Sequence, residues 1–279
     1  MPNVADGKAA TAPAQHGLGR KSEEGKLFGS FPGQVDRLIL DIDGVLVDPS
    51  SSYYAVGRKL LSREGATLSD EDIAAFKWAG GFNDDWDLAR AALGVFRYRQ
   101  RSGDMRPLSA LLTPDAGLPC VLQLVGGDDP GDLSAECERL YAHIAHEEIT
   151  LVEASLLGQV AARLPLYACT GRTREQTLAA FAAFGLSPQA FVSCETVKKP
   201  NPNALLPLLE GSRFALFVGD SWDDCLTSMH AQALTSTQLH FFWCLPAGAS
   251  AAEVQQRLGR GGQGACIGLE ALLWKLLQP

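Results

Sequence analysis

Residues 38–48 read Leu-Ile-Leu-Asp-Ile-Asp-Gly-Val-Leu-Val-Asp. The apolar run is that of a strand buried on both faces. It ends in two carboxylates, Asp41 and Asp43, before Gly44 lets the backbone turn away. Ligands of open α/β sheets bind outside the carboxyl ends of the strands, so the stretch predicts a site as well as a strand.

Working outward, residues 164–170, 191–194, 214–220 and 239–245 read as further short buried strands. Helical patterns separate them, with Leu178, Phe181 and Phe184 on one stripe, and closing helices are predicted around 254–258 and 269–277. This alternation implies an α/β fold: a Rossmann-like parallel sheet covered by helices on both faces. Residues 52–160 instead predict a mainly α-helical insertion. Tyr53, Val56, Leu60 and Leu61 share a face, Ser69 and Asp72 form a capping box, and helical spacing returns at Leu133, Cys137, Leu140 and at Leu156, Leu157, Val160. Pro107, Pro114, Pro119 and Pro130 predict a variable loop across 97–131. The predicted division is a disordered tail over 1–33, with an organellar transit peptide as the alternative for that stretch, an α/β core of 34–51 and 161–279, and the helical insertion between.

The chain has 279 residues, 46% of them hydrophobic, which suffices for a sizeable core. A formal net charge of -8 leaves no electrostatic footprint for nucleic acid or an anionic membrane surface, so a small molecule is the expected partner. Seven scattered cysteines without Cys-x-x-Cys spacing read as reduced core residues, and no apolar run approaches the roughly 18 residues that mark a membrane span. A cytoplasmic monomer or homodimer is expected. The five histidines give no zinc pattern: His143 and His146 lack a third ligand.

Polar groups stand at four predicted strand ends: Asp41 and Asp43, Thr170, Lys199, and Asp220 with Asp224. In a parallel sheet these ends share one edge, so residues nearly two hundred positions apart converge. Crowded carboxylates do not all ionise unless a cation sits among them, and Mg2+, which takes oxygen ligands and leaves room for water and a phosphate, is the natural choice.

With these residues in hand the chain resembles the haloacid dehalogenase superfamily of phosphotransferases over about residues 36–245. The four motifs are Asp-Ile-Asp-Gly-Val-Leu-Val-Asp at 41–48, Cys-Thr-Gly-Arg at 169–172, Lys-Lys-Pro-Asn-Pro at 198–202 and Gly-Asp-Ser-Trp-Asp-Asp at 219–224. The insertion looks like the cap of the phosphoglycolate-phosphatase-like and phosphomutase-like branch. The resemblance implies a Mg2+-dependent phosphatase of small phosphorylated metabolites acting through an aspartyl-phosphate. It implies Asp41 as nucleophile, Asp43 as acid and base, Thr170, Gly171, Arg172 and Lys199 as phosphate ligands, and Asp41, Asp43 (through its carbonyl), Asp220 and Asp224 as metal ligands. Lys198 is the alternative to Lys199, and Asp223 to Asp224. Asn83, in the glycine-hinged loop 80–86, is the expected cap contact with substrate, packing being the competing role of that loop. Trp222 reads as a packing residue. Arg90, Arg97, Arg99, Arg101 and Arg106 are candidates to meet an anionic leaving group, with an exposed arginine face as the alternative. A sugar phosphomutase and a catalytically weak phosphate-binding protein are the other functional readings. Tyr53, where family mutases typically carry His, disfavours the mutase.

Overall fold

The computed structural model describes residues 26–29, 34–115 and 117–278. In chain order its elements are β1 (Leu27–Gly29), β2 (Arg37–Leu40), β3 (Val47–Asp48), α1 (Tyr53–Ser62), α2 (Asp70–Ala79), α3 (Asp85–Ser102), α4 (Leu108–Leu111), α5 (Gly117–Val125), α6 (Ser134–Ile144) and β4 (Ile149–Thr150). There follow α7 (Ala154–Ala161), β5 (Leu166–Cys169), α8 (Arg174–Ala182), β6 (Ala190–Val192), α9 (Leu206–Leu209), β7 (Phe214–Gly219), α10 (Trp222–Gln232), β8 (Gln238–Leu245), α11 (Ala251–Arg260), β9 (Gly264–Ile267) and α12 (Leu269–Leu277).

The seven-stranded sheet has the order β1-β9-β8-β7-β2-β5-β6 and is parallel except for β1, which runs antiparallel to β9. Strand β2 lies between β5 and β7, with Leu40 opposite Ala168 and Val218. The chain thus leaves β2 toward one neighbour and later returns on its other side, the kind of switch point at which α/β sheets bind ligands.

Alternation along β2 sends its side chains to two cores. Leu38 and Leu40 join Leu216, Val218 and Phe242 under Leu157 of α7, Phe181 of α8 and Leu272 of α12. Ile39 joins Phe217, Phe241 and Trp243 under Leu208 of α9, Cys225 of α10 and Val254 of α11. A strand buried on both faces is therefore continuously apolar. The helices α1–α6 bury their own apolar residues, around Leu61, Phe76, Leu93 and Val125 in one cluster and Tyr53, Trp86, Cys137 and Tyr141 in another. The chain crosses to these helices at β3 and returns at β4, and the two pair antiparallel with Val47 opposite Thr150. A two-stranded ribbon is the covalent joint of the helical layer.

Several elements differ from expectation. Residues Leu27–Gly29, assigned to a disordered tail, form edge strand β1, because Leu27 and Phe28 each reach one of the sheet's apolar clusters. The rest of that predicted tail, 1–25 and 30–33, lies outside the described residues. The 97–131 stretch is more regular than a loop: α3 runs on to Ser102, and α4 and α5 follow. Pro107 caps α4 and Pro119 sits in the first turn of α5, where a missing N–H costs little. Helix α7, counted with the helical insertion, packs instead against the sheet through Leu156, Leu157 and Val160. Strand β9 went unread because its four residues sit between glycines. Leu157→Ala is expected to lower the global unfolding free energy by about 2–5 kcal/mol in a urea titration, as for other buried leucines. A change below about 0.5 kcal/mol would place α7 outside the core.

Candidate active site

Two local devices build the carboxylate cluster. Gly44, at φ +73°, turns the chain directly over Asp220, and a Cβ there would land on the Asp220 carboxylate. At the start of α10, Ser221 Oγ accepts the Asp224 N–H at 3.2 Å while Asp224 Oδ2 accepts from Ser221 N at 3.0 Å and from Ser221 Oγ at 2.6 Å. This capping box fixes Asp224 at the carboxyl edge of β7. As a result, Asp41, Asp220 and Asp224 each present a carboxylate oxygen within 4.8 Å of the others.

Lys199 is the cation of this group. Its Nζ lies 2.9 Å from Asp41 Oδ2 and 2.5 Å from Asp224 Oδ1, with all three side chains buried. Lys198, one residue away, faces outward and pairs with Asp84 at 2.7 Å. Asp223 likewise turns from the cluster, accepting the Gly81 N–H at 2.8 Å and so tying the 80–86 loop to α10. Burial pushes Asp41 up to about 8 against the pull of Lys199, and the Asp224, Asp220 and Asp43 carboxylates add to the rise. Burial and Asp224 push Asp220 up to about 7. Burial disfavours the Lys199 ammonium, yet Asp224 and Asp41 outweigh that and hold its pKa above the ordinary lysine value.

Three carboxylates against one ammonium leave a formal surplus of two negative charges in a buried space. An all-oxygen donor set with that surplus fits a hard divalent cation such as Mg2+. Asp41, Asp220 and Asp224 are the residues that would hold it. The Asp43 side chain is committed elsewhere.

Asp43 belongs to a second buried group. Arg172 donates from Nε to Asp43 Oδ2 at 3.0 Å and from Nη2 to Asp43 Oδ1 at 2.7 Å. The same guanidinium donates to both Glu148 oxygens at 2.9 Å, and the Tyr141 hydroxyl also donates to Glu148. Tyr53 covers it, with its ring centroid 5.1 Å from Arg172 Cζ. Arg172, expected to bind phosphate, is therefore committed to two carboxylates, which fix its fork geometry. Thr170 is buried at the end of β5, and its Oγ1 accepts the Arg172 N–H at 3.2 Å.

The pocket at Asp41 is closed to about 10 Å3. Asp41, Asp43, Gly171 and Asp220 form its core side, and Tyr54, Lys77, Asn83 and Asp85 come from the helical layer. Asn83 touches Gly171 so closely that a Cβ on Gly171 would lie 2.7 Å from Asn83 Nδ2. Lys77 and Asp85 are half-buried and paired at 2.9 Å. The sequence suggests Asp85, with Asn83, as a cap residue bearing on substrate preference, whereas Lys77 went unassigned, its signal being a lysine between Phe76 and Trp78. Glu148 had no sequence signal. The arginines offered for an anionic leaving group are occupied elsewhere: Arg90 by Asp129, Arg97 by Glu64, Arg101 by Asp128, Arg106 by Asp104, and Arg99 by the Arg106 carbonyl.

Strand order, the helical layer inserted after β2 and the acidic strand ends invite comparison with solved proteins. A hydrolase from Pseudomonas syringae superposes with a TM-score of 0.56 at 17% identity, covering 86% of this chain and 97% of that one. A HAD family hydrolase from Deinococcus radiodurans, solved with bound phosphate and sodium, gives 0.53 at 17%, covering 88% and 98%. The chain has the haloacid dehalogenase-like fold. Phosphatase Tt82 from Thermococcus thioreducens shares it with a TM-score of 0.55 at 21% identity, over 73% of this chain and 90% of that one. The chain matches no protein-family model. An imidazoleglycerol-phosphate dehydratase from Phytophthora nicotianae is 25% identical over 215 residues, 72% of this chain. The match spans 42% of that protein's length, less than half of it.

Magnesium is expected to raise the melting temperature saturably, by the equivalent of about 2.7 kcal/mol at a hundred times its dissociation constant. Asp220→Asn should remove most of that shift in differential scanning fluorimetry, whereas an equal shift in both proteins would exclude the cluster as the binding site. Arg172→Ala should cost stability, up to about 3–5 kcal/mol, because it leaves the half-buried Asp43 and Glu148 carboxylates without their shared counter-charge. A denaturation midpoint like that of the wild type would show that the two carboxylates find other partners.

Proposed function

We propose that the protein is a Mg2+-dependent phosphatase of small phosphomonoesters acting through a phosphorylated Asp41. The observation that carries this reading is the group of Asp41, Asp220 and Asp224, partly offset by Lys199, at the carboxyl edge of a parallel sheet. Bound Mg2+ would supply electrophilic stabilisation of the transferring phosphoryl group.

The chain's own residues would perform the remaining steps. The Asp41 carboxylate attacks phosphorus, the bond to the leaving oxygen breaks, and Asp43 gives that oxygen a proton. Water then attacks phosphorus, Asp43 takes its proton, and the bond to Asp41 breaks. Lys199 neutralises charge on the phosphoryl group, and the Thr170 hydroxyl with the Gly171 N–H completes its cradle. Arg172 acts here as a holder of Asp43 rather than as a phosphate ligand. Asp41 Oδ1 accepts the Ile42 N–H at 2.8 Å and Oδ2 faces Lys199 at 2.9 Å, so both oxygens of the nucleophile are held in place.

A pocket of about 10 Å3 admits no phosphate ester, so the proposed cap would have to open for substrate to enter. Opening requires Asn83, Lys77 and Asp85 to withdraw about the β3–β4 ribbon. The resemblance favours hydrolysis over a mutase, because Tyr53 stands where family mutases typically carry His, and burial pushes its phenol far above the ordinary pKa. Among the described residues no helix is long and apolar enough to cross a membrane, and all seven cysteines are free, which suits a reducing cytoplasm.

Assayed with magnesium against a phosphomonoester panel, the wild type should release phosphate and Asp41→Asn should not. Asp43→Asn should slow turnover by about 10²- to 10⁴-fold, as for loss of a general acid–base. A near-normal rate in Asp41→Asn would exclude the mechanism.

A further inference from the structure

Beside the Asp41 pocket lies a cavity of about 540 Å3, and the two share Tyr54, Lys77 and Asp220 as a common wall. A cavity of about 690 Å3 lined by Glu148 and Arg172 shares no residue with the Asp41 pocket, and the one that reaches Asp43 holds about 70 Å3. Of the two that border the Asp41 pocket, only the 540 Å3 cavity has the volume of an ordinary small-molecule site. Its sides are largely apolar, with Val45, Ile73, Leu151 and Leu245 among them.

The charged groups facing it are nearly all accounted for. Asp70 pairs with Arg58, Asp48 accepts the Ser50 N–H, Lys77 pairs with Asp85, and Asp220 belongs to the carboxylate cluster. Arg257 of α11 is the exception. Its Cζ lies 4.8 Å from the Trp78 ring centroid and 4.9 Å from that of Trp243, so its guanidinium is held between two indoles. Its Nη1 is buried with no hydrogen-bond partner, and among the described residues the side chain makes no contact ion pair, Asp220 and Glu253 acting on its charge only from a distance. Native structures rarely leave a buried charged donor without an acceptor. A restrained guanidinium is also well suited to planar recognition of a carboxylate or phosphate. Arg257 lines the large cavity and not the Asp41 pocket, so the two ends of a ligand would be recognised separately.

We propose that this cavity receives the leaving-group half of the substrate, and that Arg257 binds an anion on it. The substrate is then a phosphomonoester whose alcohol has an apolar body ending in a carboxylate or a second phosphate. This inference rests on the phosphomonoester reading, because the phosphoryl group at Asp41 defines the other end.

The test is calorimetric binding, with magnesium, of a homologous series of ω-carboxyalkyl phosphonates, each paired with the alkyl phosphonate of equal length. Because phosphonates are not hydrolysed, binding is read independently of turnover. For at least one chain length the carboxylated member should bind about ten- to a hundredfold more tightly. Arg257→Gln should erase that ratio and Arg257→Lys should keep part of it. Equal affinities throughout the wild-type series, no binding at all, or an unchanged ratio in Arg257→Gln would overturn the proposal. If Arg257→Gln fails to fold, Ala74→Trp, which narrows the same cavity from an exposed position on α2, replaces it: loss of the ratio supports the proposal and its persistence overturns it. Absence of phosphate release from the matching phosphate esters, with the binding preference intact, would reject hydrolysis alone.

Discussion

Three carboxylates and one ammonium, Asp220 half-buried and the others buried, lie within a few ångströms and form the constraint on which the rest of the structure depends. Water cannot stabilise these charges, so each must find its counter-charge in the protein or in a bound cation. Lys199 offsets part of the excess, while burial first and the neighbouring carboxylates second raise Asp41 to about 8 and Asp220 to about 7. The fold serves this cluster. A parallel sheet brings Asp41, Asp220 and Lys199 to one edge from three separate segments, and the capping box at Ser221 spends an ordinary helix start on orienting Asp224.

The helical layer is fastened to that edge from two sides. On one, Arg172 grips Asp43 and Glu148 together, so the proposed acid–base and the return leg of the insertion share a partner. On the other, Asp223 holds the Gly81 N–H, Trp222 donates to Asp115, and Arg260 donates to the Trp78 carbonyl. Aromatic contacts add to them, with Arg257 and Arg260 against the Trp78 ring and Arg172 against that of Tyr53, so the layer's attachment bears on residues adjacent to the proposed chemistry.

Much of this was legible in the sequence, for identifiable physical reasons. A strand buried on both faces has no polar positions to hide, so 38–43 announced itself, and the acidic ends of 38–43 and 214–220 pointed to the same edge. What stayed hidden depends on contacts between distant segments. Nothing local distinguishes Arg172 as a partner of Asp43 and Glu148 from a phosphate ligand, and nothing in Leu27–Gly29 declares a strand until β9 offers an open edge. The prolines of 97–131 suggested a loop because proline breaks helices in their interiors, whereas Pro119 occupies a first turn. Helix α7 has the same amphipathic pattern as the helices before it, so only packing assigns it to the sheet.

The most direct test of the account is to trap the covalent intermediate. The protein, turning over a phosphomonoester with magnesium, would be quenched and reduced with borohydride, and the resulting peptides mapped by mass spectrometry. The account predicts substrate-dependent conversion of Asp41, and of no other carboxylate, to homoserine. Turnover accompanied by reduction at a different residue, or by none under conditions where phosphate is released, would contradict it.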